Sequence, residues 1–163
     1  MEKKKFFDNP LFRTKITSAN VKPKEMLLGY FIAPFCALIS NAIFGSYLNR
    51  YYSDVLGWTD KSRFGVFSAI LPMISVIFVI IGNLVVGHLM DNTRTSQGKA
   101  RPYMLLSAPL VAVAIALLFL TPENASPAVQ MAWIAISYNV YYAVAYPFYY
   151  TAHSSLVALS TRN

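Results

Sequence analysis

Hydrophobic and polar positions are arranged along this chain in blocks and not at helical period. Four long apolar runs, about Met26 to Leu48, Phe64 to Met90, Pro102 to Leu120 and Ala128 to Ala152, are separated by short polar segments. None contains Asp, Glu, Lys or Arg in its interior. A bilayer core about 30 Å thick is crossed by roughly 20 apolar helical residues. The helices of a soluble bundle would instead keep a polar face at a 3.6-residue period. These runs are apolar all round apart from isolated Ser, Asn and Tyr. The pattern predicts an all-α integral membrane protein with four transmembrane helices (26–48, 64–90, 102–120 and 128–152), forming one region over 26–163 behind a polar tail, residues 1–25.

Composition agrees with that class, and charge adds an orientation. The chain is 56% hydrophobic and only 13% charged, about half the charge of a typical soluble domain. Short cytoplasmic loops collect Lys and Arg. The tail holds Lys3, Lys4, Lys5, Arg13, Lys15, Lys22 and Lys24, and the second loop holds Arg94, Lys99 and Arg101. With Arg162, these put eleven cations on one side, against Arg50, Lys61 and Arg63 on the other. Both termini are expected in the cytoplasm of a cell (plasma or inner) membrane. The net charge of +7 then reports topology and an attraction to anionic lipid. Nucleic acid is not an expected partner, because the cations sit at run boundaries without interleaved aromatics. Phe6, Phe7, Leu11 and Phe12 are scattered among charges, so the tail lacks the continuous apolar core of a signal peptide. It reads as a basic tail or a short stretch on the inner leaflet.

The second loop, Asp91 to Arg101, carries the densest chemistry. Asn83, Gly87 and Asp91 recur every four residues and fall on one helical face leading into it. Gly82 and Gly87 suit close helix packing. Ser40 and Asn41 in the first run and Asn83 in the second must find partners within a bilayer, either on a neighbouring helix or along a solute path. The fourth run is rich in tyrosine, with Tyr138, Tyr141, Tyr142, Tyr146, Tyr149 and Tyr150 beside Asn139 and His153. Such rings stack on sugar faces while their hydroxyls bond sugar hydroxyls, or they pack between helices. Pro147 is expected to free a carbonyl within that run. Cys36 is the only cysteine, so no intrachain disulfide forms. His88 and His153 lack companions at metal-ligand spacing, no cofactor motif is present, and no carboxylate pair suits acid–base catalysis. The chain does not read as an enzyme.

Gly87-x-x-x-Asp91 with Thr93-Arg94, Gly98-Lys99 and Arg101-Pro102 resembles the loop between helices two and three of the major facilitator superfamily. Within it, the loop looks like that of the glycoside–pentoside–hexuronide:cation symporters, the melibiose-permease-like group. Tyr51-Tyr52-Ser53-Asp54-Val55-Leu56-Gly57 and the aromatic fourth run with Pro147-Phe148 resemble that group too. The resemblance covers about Met26 to the C-terminus. It implies helices 1–4 of an N-terminal transporter domain, with sugar or glycoside carried by alternating access. Gly87, Asp91, Arg94, Gly98, Lys99 and Arg101 would form a cytoplasmic gate, Asp91 being the acidic partner of Arg94 and Arg101. The group's cation-binding aspartates in helix two match Val79 and Asn83 here. Its helix-four aspartate falls on Tyr149 or Tyr150, and its helix-one acid on Leu38. Aspartate-based Na⁺ or H⁺ coupling is therefore not expected, leaving passive transport or coupling elsewhere. Asn41, Asn83, Tyr146, Tyr150 and His153 are the candidate solute contacts. Relatives of this kind have about twelve spans built from repeats, so the chain is expected to be an N-terminal portion, not competent alone, that works with remaining spans or a complementary chain. The alternative is a self-contained four-helix membrane protein that oligomerises, as a small exporter or a non-transporting scaffold.

Overall fold

Each of the four apolar runs is helical in the computed structural model, which describes residues 22–58, 61–95 and 98–159. The tail cations up to Lys15, Asp60 and Arg162 lie outside the described residues, as do the side chains of Cys36, Ser40, Lys61 and Arg63. All regular structure among the described residues is helical. Helix α1 comprises Pro23–Met26, a π-helical turn at Leu27–Ile32, and Ala33–Asp54. Helix α2 is Lys61–Asn92 and α3 is Arg101–Phe119. Helix α4 comprises Pro127–Asn139, a second π-helical turn at Val140–Ala145, and Tyr146–Leu159.

Local chemistry accounts for these limits. Pro23, Pro102 and Pro127 occupy first-turn positions, where a missing N–H costs nothing because no intrahelical acceptor exists for it. Ser126, ahead of Pro127, is extended at φ −61° and ψ 151°, as a residue before proline prefers. Pro147 follows directly behind the π turn of α4. A wider turn there accommodates the donor and the space that a proline removes from an α-helix.

Phe64–Asn92 and Arg101–Phe119 are long and apolar enough to cross a membrane as uninterrupted helices. Helices α1 and α4 are each broken by their π turn. The exposed surface of α2 is almost wholly aliphatic, including Met73, Ile77, Ile81 and Leu84. Soluble monomers rarely expose an apolar face of that extent, whereas lipid solvates it without cost. The chain is a membrane protein.

Helix α4 is central and packs along both α2 and α3. Two apolar clusters close the ends of the assembly. Leu48, Tyr52, Leu118, Ile134 and Tyr141 gather toward the first and third loops, while Val86, Met90, Ala100 and Ala152 gather at the second loop. Helix α1 reaches its neighbours through tyrosine hydroxyls at three levels. Tyr30 donates to the Leu156 carbonyl (3.4 Å), Tyr141 donates to Asn41 Oδ1 (3.4 Å), and Tyr51 donates to the Phe119 carbonyl (2.8 Å). This spacing leaves room between α1, α3 and α4.

Candidate functional site

At the second-loop end, the Asn83–Gly87–Asp91 face of α2 meets Thr151 and Ser155 of α4. Gly87, Met90, Asp91, Lys99, Thr151 and Ser155 bound a cavity of about 350 Å³. Lys99 Nζ lies 4.0 Å from Asp91 Oδ1, with the side chains 51% and 85% exposed respectively. A pair that open contributes at most about 1 kcal/mol. Arg94 is exposed and Arg101 half-exposed at the start of α3; among the described residues neither forms an ion pair with Asp91. The expected partners were these two arginines, whereas the nearest cation is Lys99. Gly98 adopts φ +86°, a left-handed conformation that glycine takes without strain. Its N–H bonds the Thr95 carbonyl (3.1 Å), and the Thr95 hydroxyl bonds the Gly98 carbonyl (2.7 Å). The Thr93 hydroxyl lies 2.6 Å from that of Tyr103, joining the end of α2 to α3. Close packing was expected at both helical glycines. It holds at Gly82, but a Cβ added at Gly87 would meet nothing within 4 Å, so that glycine borders open space.

A larger cavity of about 450 Å³ lies between α1, α3 and α4. Ala37 contributes from α1, Ser107 and Val111 from α3, and Tyr141, Tyr146 and Tyr149 from α4, and among the described residues no charged side chain lines it. Tyr146 sits 6.2 Å from Tyr141 and 6.3 Å from Tyr149, ring centre to ring centre. Tyr149 stacks on His153 at 5.9 Å, and Tyr30 of α1 approaches the same imidazole at 6.2 Å. The Tyr149 hydroxyl and His153 Nε2 are buried with no hydrogen-bond partner among the described residues. Apolar walls with a few convergent polar groups are the usual makeup of a small-molecule site.

The five candidate solute contacts are divided by the fold. Tyr146 lines the cavity, Asn41 meets it through Tyr141, and His153 sits behind Tyr149. Tyr150 points outward, 56% exposed and stacked on Tyr146 at 6.0 Å. Asn83 lies in the seam between α2 and α4, donating to the Val79 carbonyl (2.8 Å) and accepting from the Thr151 hydroxyl (3.2 Å). Ser107 escaped the sequence reading, although it is the one serine amid the aliphatic residues of the third run. Tyr141 was visible as one of the tyrosines, but nothing in the sequence separated it from its neighbours.

The opposite end is built around the Tyr51–Gly57 segment. Trp58 Nε1 donates to Gln130 Oε1 at 2.6 Å, and Gln130 Nε2 donates to the carbonyls of Pro122 and Glu123 at 3.1 and 3.0 Å. This ties the first loop to the third. Arg50 Nε lies 3.1 Å from Asp54 Oδ2, and the Ser53 hydroxyl donates to Asp54 Oδ1 at 2.9 Å. The Ser53 hydrogen bond first, and Arg50 second, hold the Asp54 carboxyl below its usual range.

Comparison with known proteins shows the family of the chain. Residues 29–163 match the family model described as MFS/sugar transport protein. The chain is 31% identical over 119 residues to the uncharacterized symporter YjmB of Bacillus subtilis, a match covering 72% of this chain and 24% of that protein. It is 29% identical over 122 residues to the isoprimeverose transporter of Lactiplantibacillus pentosus, covering 73% and 24%. The match thus spans about a quarter of the length of these relatives. No solved structure matches the chain significantly. With four-fifths of its length inside the family model, including the Asp91–Arg101 loop and the tyrosine-rich helix, this chain belongs to the MFS/sugar transport family, a family of transporters and not of enzymes.

Proposed function

We propose that this chain supplies the first four transmembrane helices of a secondary transporter for sugars or glycosides that works by alternating access. The observation that carries the reading is the uncharged cavity between α1, α3 and α4, walled by the rings of Tyr141, Tyr146 and Tyr149. It suits a neutral, polyhydroxylated solute with an apolar ring face. The family match and the transporter named for isoprimeverose support the solute class. In this reading α1 and α4 span the bilayer as well, both termini and the second loop are cytoplasmic, and the protein resides in the cell membrane. Asp91 and Lys99 close the second-loop end in one state and separate in the other, a bias of about 1–3 kcal/mol being enough to shift such an equilibrium. Val79 and Asn83 cannot titrate, so proton coupling, where present, uses other groups, while the Asn83 amide oxygen remains a weak ligand for Na⁺. The solute site is completed by further spans, which accords with the quarter of the relatives' length that is matched.

The test is sugar binding and uptake by vesicles containing the chain. Saturable binding of radiolabelled pentoses or glycosides, weakened at least about tenfold in Tyr146→Ala, and no uptake by the chain alone are expected. Saturable uptake that disappears in Asp91→Ala would make a self-contained four-helix oligomer the better reading. Absence of any sugar binding when the remaining spans are supplied with the chain would remove the solute class.

A further inference from the structure

A second, smaller cavity of about 170 Å³ lies among α1, α2 and α4 toward the first loop. Its wall includes Asn49 and Tyr52 of α1, Phe67 and Ser68 of α2, and Tyr138 and Tyr142 of α4. Tyr52 is 3% exposed, and its buried hydroxyl has no hydrogen-bond partner among the described residues. A desolvated hydroxyl left unpaired is unfavourable, so a group from outside the fold is called for. Water would satisfy the hydroxyl, but it draws nothing from the aromatic faces beside it. Tyr138 and Tyr142 lie 4.4 Å apart, Tyr142 and Tyr141 4.7 Å, and Tyr141 and Tyr146 6.2 Å, ring centre to ring centre. The rings therefore run without a break from this cavity to the central one, which Tyr141 and Tyr146 line. Among the described residues no charged side chain lines the smaller cavity, and Arg50 and Asp54, on the last turns of α1, are paired with each other.

We infer that this cavity is a subsite for one neutral sugar ring on the first-loop side of the central site. The Tyr52 hydroxyl bonds a ring hydroxyl, Asn49 and Ser68 offer further polar contacts, and Tyr138 and Tyr142 receive the C–H face of the ring. With less than half the volume of the central cavity, it holds one ring. The aromatic run makes it a stage through which the solute passes on its way to or from Tyr146. The inference rests on the sugar-transport reading and extends it to a second position along the path.

The chain has two tryptophans, and one of them reports on this cavity. Trp58 lies 6.1 Å from Tyr52 and 6.0 Å from Phe67, and its indole is fixed by Gln130. A Trp133→Phe background in nanodiscs leaves Trp58 as the sole tryptophan, excited beyond the tyrosine absorption band and titrated with D-xylose while equilibrium dialysis with the radiolabelled sugar counts total binding. Expected are a saturable change in Trp58 emission and two dialysis sites. Tyr52→Phe should weaken the fluorescent site about tenfold by removing one hydrogen bond, leaving the second unchanged. Gly45→Leu fills the same cavity from a position where an added Cβ meets nothing within 4 Å, and should abolish the fluorescent site. A single dialysis site, sensitive to Tyr146→Ala and silent at Trp58, overturns the subsite while leaving the transport reading standing. No binding by either method when the remaining spans are supplied with the chain overturns both.

Discussion

The carbonyl oxygen of Ala143 rests against Gly82: a Cβ built on that glycine would overlap the oxygen, with the carbonyl carbon 2.9 Å away. Ala143 stands four residues before Pro147, whose ring nitrogen has no hydrogen to offer it. The π turn and the proline thus aim an under-used carbonyl out of α4, and the glycine lets α2 come close enough to receive it. Two residue choices on different helices make one contact.

Gly82→Ala should force α2 and α4 apart and destabilise the protein by about 1–3 kcal/mol, the usual effect of inserting a methyl into a packed contact. Gly87→Ala, one turn on and bordering open space, should change stability by less than about 0.5 kcal/mol. Denaturation in detergent micelles compares the two, and equal effects would contradict the close approach at Gly82.

Asp91→Asn and Lys99→Gln should each leave stability within about 1 kcal/mol of the parent, because the pair is long and exposed. They should nevertheless speed labelling of a cysteine placed at Ser155, which borders the same cavity, in a chain whose native Cys36 has been replaced by Ser. Unchanged labelling rates in both variants would remove these two residues from the gate.

Gln130 is 4% exposed and holds three partners, the Trp58 indole and the carbonyls of Pro122 and Glu123. Gln130→Leu keeps much of the volume and strands those groups, at a cost of about 1–3 kcal/mol for the buried ones. Proteolysis within the first loop should accelerate in this variant, and a loop equally resistant in both proteins would show that the tie is dispensable.

Asp54 has a folded-state pKa below its usual 3.8. A depressed carboxyl contributes stability that is present above the unfolded value and is lost as pH falls through the folded one. The Asp54 contribution should therefore hold at neutral pH and disappear only below about pH 3.8. A carbon-13 titration of the carboxyl should show the low midpoint, moving up toward 3.8 in Ser53→Ala, with Arg50→Gln giving the smaller displacement.

Much of the helical layout was legible because bilayer-length apolar runs are an absolute requirement on composition. The run from Phe64 to Met90 appears as α2, Lys61–Asn92, and that from Pro102 to Leu120 as α3, Arg101–Phe119. Charges and prolines mark the ends of such runs directly. The π turns of α1 and α4 were not legible, since Gly29 in Leu27–Ile32 and the Val and Tyr residues of Val140–Ala145 are also at home in regular spanning helices. The fourth run signalled its irregularity only through Pro147.

The candidate site was half readable for a related reason. The second loop stands out because charge is scarce elsewhere, and its face, Asn83 to Asp91, follows from helical period alone. Which cation stands nearest Asp91 depends on the path of the loop, and the turn at Gly98 brings in Lys99. In the same way, six tyrosines on α4 announced an aromatic helix, but only the stand-off of α1 turned Tyr141, Tyr146 and Tyr149 inward to a cavity and left Tyr150 outside.

The sequence alone determined where the helices lie, that lipid is their solvent, and which family's loop joins α2 to α3, because hydrophobic length and local spacing are properties of consecutive residues. Tertiary structure alone decided that Asn83 bonds Thr151 across the α2–α4 seam, that Ala143 finds Gly82, and that two cavities flank the tyrosine run. Those relations join residues far apart in the chain, and they follow from how closely neighbouring helices can approach.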